Sequence, residues 1–480
     1  MKTGIKSIGV YVPYYYISRD TMAKAWSSSG RGQKGVRSLI NFDEDSVTMA
    51  VEAVDDCLRR SGKQEIGALY FASTTAPYME KAHSGIVATA CNLNRNLFTA
   101  DFSNCTKAGT GALRSAIDAC IAKTVEQAIV VASDCRDAYP KSSEEQLFGD
   151  AAASILVGND NVIATIDDFA TTTNEITDVW RNATDRFVNF AEERFLNQHG
   201  YMDEMSRVIK AVLSKAGLSA VQISKAVFTT SGMQNGNSLG KKLGFTPEQI
   251  QKAFMEEIGY CGTAQPFLML GAALATSNPG DKILLAAYGN GADAYVLTVT
   301  EEIQSFKANF ALQNWLDKRE ELDVYAPFLS YREELKAVPG APYTVKASTA
   351  KEWREQNTFI KLLGSSCKKC GASIFPINRV CYNCGAKDEY ETFRAPDRTA
   401  KIFTYSLDNY AGRSDFPLVG QIVADDSENA RYYLMMTDFK KVDVKIGEKV
   451  EFAFRKIHNL GNYVNYYWKF RPIRSKGGNA

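Results

Sequence analysis

Four short, nearly unbroken apolar stretches punctuate the first 300 residues: Gly67–Ser73, Gln127–Ser133, Lys225–Thr230 and Lys282–Ala287. Each reads as a buried strand. In Val47–Leu58 and Met205–Leu213 apolar residues recur three and four apart, which lines them along one face of a helix. Strands alternating with helices predict a layered α/β fold around a mostly parallel sheet.

The same region carries a weak internal repeat. A helix, a turn and the strand Ala68–Thr74 in the first half match Met205–Gly217 followed by Lys225–Thr230 in the second. Further on, Gln127–Ser133 leading to Gly149–Val157 matches Lys282–Ala287 leading to Gly289–Leu297. Any βα protein repeats hydrophobic patterns, but four matched elements in the same order argue for two copies of one unit.

Beyond Thr300 the pattern turns charged and aromatic and is interrupted by Pro327, Pro339 and Pro342, as in a connecting segment with some helix. A helix is expected around Ala350–Leu363. From Ala400 the chain alternates as short strands, Lys401–Leu407, Pro417–Ala424, Tyr432–Thr437, Lys449–Arg455 and Tyr463–Arg471. So many strands in so short a span suggest a small closed β-barrel. The expected divisions are 1–165 and 166–300 for the two halves, 301–346 for the connection, 347–395 for a helix with a cysteine-rich module, and 396–480 for the barrel.

Charge changes this picture little. With 56 Lys and Arg against 55 Asp and Glu the net charge is +1, which argues against a dominant polyanion-binding role. At 480 residues, 45% of them hydrophobic, the chain can bury sizeable cores. Met1–Lys6 runs into a strand-like stretch with no basic-then-apolar leader, and no apolar run reaches 18 residues, so a cytoplasmic protein with no membrane contact is expected.

Four of the ten cysteines form two tight pairs, Cys367/Cys370 and Cys381/Cys384, each followed by glycine. Each CxxC turn aims two thiolates at one centre, and four give the closed tetrahedral shell of structural Zn2+, with iron as the lesser alternative. A closed shell leaves no position for substrate. The other six cysteines are scattered, as free thiols in a reducing compartment. The barrel resembles an OB-fold, a shape that can bind oligonucleotides, and Lys440, Lys441, Lys445, Lys449, Arg455, Lys456, Lys469, Arg471 and Arg474 bias it basic. A solvated face, or one meeting the 3′-phospho-ADP of coenzyme A, accounts for those charges better than nucleic acid.

Several motifs, Gly4-Ile5-Lys6-Ser7-Ile8-Gly9-Val10-Tyr11-Val12-Pro13, Gly149-Asp150-Ala151-Ala152-Ala153, Asp178-Val179-Trp180-Arg181, Lys241-Lys242-Leu243-Gly244-Phe245 and Gly289-Asn290-Gly291-Ala292, resemble the hydroxymethylglutaryl-CoA synthase family, especially its archaeal type, within the thiolase superfamily. The resemblance covers about residues 1–300; the remainder looks like zinc-ribbon plus OB-fold acyl-CoA-associated proteins that join two such enzymes. It implies a duplicated thiolase-type αβαβα fold, a homo-oligomer (dimer or higher), a CoA thioester substrate, a thiolase-type partner subunit, and a cysteine nucleophile at the start of a buried helix. The chemistry implied is Claisen-type carbon–carbon bond formation or thiolytic cleavage. A helix N-terminus favours the thiolate, and a His with an Asn or second His stabilises the thioester enolate.

The residues at the family's positions depart from this pattern. In Asp101–Leu113 the family cysteine falls on Thr106, with Cys105 one residue early; a shift in the elbow makes Cys105 the nucleophile, and otherwise it is a buried thiol. Cys261 is the runner-up, because the repeat places it roughly where Cys105 stands. The family's general-base Glu lands on Thr74, with Glu80 six residues on, its His on Thr229 and its Asn on Ile258. The chain has only three histidines: His83, three residues after Glu80; His199, in a His-Gly pair expected to be structural or pocket-lining; and His458, expected at the surface. Two functions follow: an acyltransferase acting through Cys105, or a non-catalytic, degenerate subunit that scaffolds an active thiolase and helps bind CoA.

Overall fold

The computed structural model describes residues 2–26, 32–62, 65–230, 235–310, 312–335, 348–408, 419–460 and 463–474. Pro339, Pro342 and Pro417, and the side chain of His458, lie outside the described residues. The chain divides into two compact units, one of Met1–Ile40, Asp45–Ala88 and Leu93–Tyr325, the other of Asn41–Glu44, Thr89–Asn92 and Ala326–Ala480.

The first unit is built on nine strands: β1 (Gly4–Tyr11), β2 (Ala68–Ala72), β3 (Phe98–Phe102), β4 (Gln127–Asp134), β5 (Ala151–Gly158), β6 (Ala164–Thr173), β7 (Lys225–Phe228), β8 (Lys282–Tyr288) and β9 (Gly291–Val299). They form one sheet in the order β7-β8-β9-β6-β1-β5-β4-β2-β3. The two halves meet where β1 pairs with β6 at Gly4 and Ile5. Outward from that seam the order β1-β5-β4-β2 repeats as β6-β9-β8-β7; the pairs β2/β7, β4/β8 and β5/β9 are those of the repeat read from sequence, and the pair β1/β6 is added by the structure. Helix α1 (Ser46–Ser61) packs on β1, β5 and β4, and α3 (Asp203–Ala216) on the matching β6, β9 and β8. Between the half-sheets lie α2 (Ala108–Ile121) and α4 (Gln265–Thr276), in contact with each other. The result is the five-layered α/β arrangement.

The sheet is mixed rather than mostly parallel. Parallel pairing is confined to its ends, β7 with β8 and β2 with β4 and β3, while the strands between are antiparallel. The physical reason is the length of the connections. Only Gly289-Asn290 separates β8 from β9, and a two-residue turn, with Asn290 at φ 47°, can only reverse the strand.

Local chemistry sets the helix ends. The Asp45 side chain accepts from the N–H groups of Val47 and Thr48 at the start of α1, while the Thr48 hydroxyl accepts in return from Asp45 N–H. Met205, Ile209 and Val212 of α3 bury one face against Phe228, Leu284 and Val296. Among the described residues no helix is long and apolar enough to cross a membrane.

In the second unit β10 (Leu363–Cys367) pairs with β11 (Ser373–Ile374) and β12 (Tyr390–Arg394). Five strands, β13 (Ala400–Asp408), β14 (Val419–Asp426), β15 (Arg431–Met436), β16 (Lys449–Leu460) and β17 (Tyr463–Pro472), close a barrel in the order β13-β14-β15-β17-β16. The helix expected over Ala350–Leu363 is two short turns, Thr349–Arg354 and Gln356–Phe359, and Leu363 opens a strand instead. Buried in this unit is an ion network. Arg455 meets Glu44 at 3.2 Å and Asp438 at 2.8 Å, and Lys469 meets Asp43 at 2.8 Å. Much of the basic bias read from sequence is therefore internal: Arg455, Lys469, Arg471 and Arg474 are all buried.

Candidate functional site

A cavity of about 930 Å³ opens in the first unit. Its wall includes the segment after β3, and that segment ends at the start of α2, where Cys105 and Thr106 both line the cavity. Asn104, at φ 79°, turns the chain ahead of them. The Cys105 thiol, partly buried, faces the N–H groups of Lys107 and Ala108. Burial raises its pKa above the usual thiol value, more than those N–H groups and the Lys107 charge lower it, so at neutral pH it is a thiol rather than a thiolate.

Thr106 has a different environment. Its hydroxyl donates to the carbonyl of Tyr288 at 2.9 Å, under the tight β8–β9 turn. Gly289 permits that approach, since a Cβ there would sit 2.7 Å from Lys107 N and 3.1 Å from the Thr106 hydroxyl. Thr74 lines the cavity, but its N–H and hydroxyl both go to Asp134, at 2.7 and 3.1 Å. Asp134 is fully buried and also accepts from Ser73, Thr75 and Thr263. Thr229 is buried behind the wall, its hydroxyl accepting from Tyr288 N–H at 3.1 Å and its carbonyl from the Tyr201 hydroxyl at 2.7 Å. Ile258 is fully buried, and its carbonyl accepts from Ser38 N–H. Neither Thr229 nor Ile258 lines the cavity.

Cys261 stands before α4 much as Cys105 stands before α2, as the repeat requires. It is nonetheless buried and outside the cavity lining, and burial drives its pKa far up. His83 does line the cavity. Its Nε2 accepts from Tyr78 N–H at 3.1 Å, so the ring proton sits on Nδ1 and is donated to Asp101 at 2.7 Å. Burial works to raise the Asp101 carboxyl, yet hydrogen bonds from His83 and Ser84 hold it down to about 2. His199 is an exposed residue of the π-helix Leu196–Met202, paired with Asp203 at 3.3 Å. Glu80 is exposed and outside the lining.

Sequence reasoning missed three features of this wall. Tyr288 donates to Asp178 at 2.6 Å, 110 residues away in the chain, an arrangement open only because residue 200 is glycine: a Cβ there would come within 2.4 Å of the Tyr288 hydroxyl. The Asp178-Val179-Trp180-Arg181 motif was the available signal. Arg136 is buried in the wall with its guanidinium over the rings of Phe148 and Tyr260, at 4.7 and 5.5 Å. A charged residue just after an apolar strand was its only trace. Tyr260, in the wall itself, gave only the Tyr260-Cys261-Gly262 turn.

In the second unit the four Sγ atoms of Cys367, Cys370, Cys381 and Cys384 lie within 4.8 Å of one another. The closest pairs, Cys367 with Cys384 and Cys370 with Cys381, are 3.7 and 3.6 Å apart. Tetrahedral Zn–S bonds of about 2.3 Å place sulfurs about 3.8 Å apart, so the donor set fits zinc held by these four residues. Gly371 and Gly385, at φ 76° and 73°, close the two knuckles.

Comparison with known proteins gives the following. A family model described as 3-oxoacyl-(acyl-carrier-protein) synthase III C terminal matches residues 213–299, and one described as ChsH2, rubredoxin-like zinc ribbon domain matches residues 360–390. The hydroxymethylglutaryl-CoA synthase of Methanobrevibacter smithii is 30% identical over 345 residues, 69% of this chain and 99% of the relative. That of Methanosphaera stadtmanae is 28% identical over 344 residues, 70% of this chain and 99% of the relative. A solved structure of MvaS in complex with 3-hydroxy-3-methylglutaryl coenzyme A superposes with a TM-score of 0.62 at 21% identity, covering 72% of this chain and 94% of its own.

Proposed function

The chain belongs to the hydroxymethylglutaryl-CoA synthase family, and from that premise we propose that it handles acyl-CoA thioesters in Claisen-type carbon–carbon bond formation or thiolytic cleavage, alongside a thiolase-type partner subunit. The observation that carries the reading is a cavity with a thiol at a helix start, while Thr74 and Thr229, where the family's bases fall, hold hydroxyls already engaged and the His83 ring is engaged at both nitrogens. Cys105 is the acyl acceptor, with the N–H groups at the start of α2 as oxyanion donors. Its sulfur attacks the thioester carbonyl and CoA leaves as the thiol, taking up the cysteine's proton. Proton abstraction from the second substrate falls to the partner, because a neutral hydroxyl is a poor base at pH 7. The same premise supports a homo-oligomer, dimer or higher, and a structural role for zinc on the four cysteines. Light scattering that finds only the 53.0 kDa monomer at micromolar concentration contradicts the oligomer.

A second reading, a non-catalytic subunit that scaffolds an active thiolase and helps bind CoA, draws on one observation: Thr106, not a cysteine, occupies the place beneath the Gly289 turn. Intact-mass analysis with acyl-CoAs separates the two. A Cys105→Ala-sensitive mass increase of one acyl group supports the first. No acylation, together with partner activity that survives Cys105→Ala, supports the second.

A further inference from the structure

Two charges meet where α2 begins. Lys107 stands just ahead of that helix, its own N–H facing Cys105, and its side chain is only 17% exposed. Its Nζ lies 3.3 Å from the Thr172 carbonyl of β6 and 3.4 Å from the Asp293 carboxylate of β9. Asp293, 4% exposed, accepts as well from the hydroxyls of Thr110 on α2 and Thr171 on β6, both at 2.7 Å. A lysine ordinarily carries its ammonium out to water on a flexible stem. Here two strands pin it, and a charge fixed in a water-poor setting acts strongly on its neighbours. On the Cys105 thiol the pair acts with opposite signs: the Lys107 charge favours the thiolate, and the Asp293 charge opposes it less strongly.

Resting on the reading of Cys105 as acyl acceptor, we propose that Lys107 is a positioning residue for that thiol: pinned by Thr172 and Asp293 at the helix start, its charge eases the departure of the Cys105 proton, and Asp293 moderates the effect. A pair that only tied α2 to the sheet would make the loss of either partner act in one direction. A pair that sets the charge at the thiol makes the two losses act oppositely.

The pH profile of iodoacetamide labelling at Cys105, measured on the full chain by peptide mass analysis, reads the thiolate directly and needs no thioester. At pH 7, Lys107→Met is expected to slow labelling at least about threefold and Asp293→Asn to speed it at least about threefold, the effect of one nearby charge. Lys107→Arg keeps the charge and should stay close to the unmutated rate. His83, Asp101, Arg136, Asp178, Tyr260 and Tyr288 on the cavity wall are common to every variant, so their influence cancels from the comparison. Should a single variant fail to fold, Lys107→Met combined with Asp293→Asn leaves no unpaired charge and decides the matter: the stronger influence is lost with the weaker, so labelling should be slower than in the unmutated chain. Shifts of the same sign in the two single variants, or equal or faster labelling in the double variant, overturn the proposal. Opposite shifts without any acyl-enzyme in the intact-mass analysis leave this inference standing and the acyl-acceptor reading refuted. Acylation of Cys105 with unshifted profiles does the reverse.

Discussion

Cysteine reacts as its thiolate, so the environment of Cys105 fixes how it must behave. Burial raises its pKa, and the fraction ionised at pH 7 is correspondingly small. Iodoacetamide labelling of Cys105, followed by peptide mass analysis, should therefore accelerate steadily to above about pH 9; a rate that has already levelled off at pH 7 contradicts the assignment. Asp101 titrates the other way. Held down to about 2 by its bonds from His83 and Ser84, it stabilises the fold above about pH 4, and that contribution fades as pH falls toward 2. His83→Ala should lower stability at pH 7 by about 1–3 kcal/mol, the range for a lost hydrogen bond to a charged group, and by less near pH 2. Denaturant melts at the two pH values check the sign.

At the scale of elements, much was legible in the sequence and the exceptions have identifiable causes. Strands β2, β4, β7 and β8 showed themselves because burial on both faces demands an unbroken apolar run. The repeat was visible because the same run-and-turn order serves both half-sheets. Sheet direction was not, since the reversal depends on the two-residue Gly289-Asn290 turn, which hydrophobic periodicity does not report. The zinc knuckles were fully legible, because all four ligands are close in sequence. The cavity wall was not: Tyr288 and Asp178, or Arg136 and Tyr260, meet only through the fold. That dependence gives a prediction. Gly200→Ala places a Cβ against the Tyr288 hydroxyl and should destabilise by about 1–3 kcal/mol, as overpacking does. In the Tyr288→Phe background the cost should shrink, a coupling that a double-mutant cycle measures. An unchanged cost in both backgrounds removes Tyr288 as the reason for glycine there.

At the scale of the whole molecule, the second compact unit takes in residues from early in the chain. Asp43 and Glu44 answer the buried Arg455 and Lys469, so Asp43→Ala leaves buried positive charge uncompensated and should cost about 3–5 kcal/mol. Burial holds Glu44 up to about 7 against the pull of Arg455. Its proton is kept in the folded chain after the unfolded chain has lost it, so this group's contribution to stability is present below about pH 4.5 and lost as pH rises through 7. Glu44→Gln should flatten that slope in melts across the window. Metal removal acts on the same unit. Elemental analysis should find one zinc per chain, and chelation or Cys370→Ser should unfold the ribbon around β10–β12 while leaving the nine-stranded sheet intact.

The central claim joins these scales: a family fold with a thiol beside its cavity for which we propose that Thr74 and Thr229, their hydroxyls already engaged, cannot replace the bases of Claisen chemistry. Losing a catalytic base from such a reaction removes about 10²–10⁴ in rate. The most direct measurement is a steady-state condensation or thiolysis assay on the purified chain alone and again after adding the proposed thiolase-type partner, recovered by pull-down with this chain. The account predicts a slow or inert chain alone and activity once the partner is present; full activity from the chain alone contradicts it.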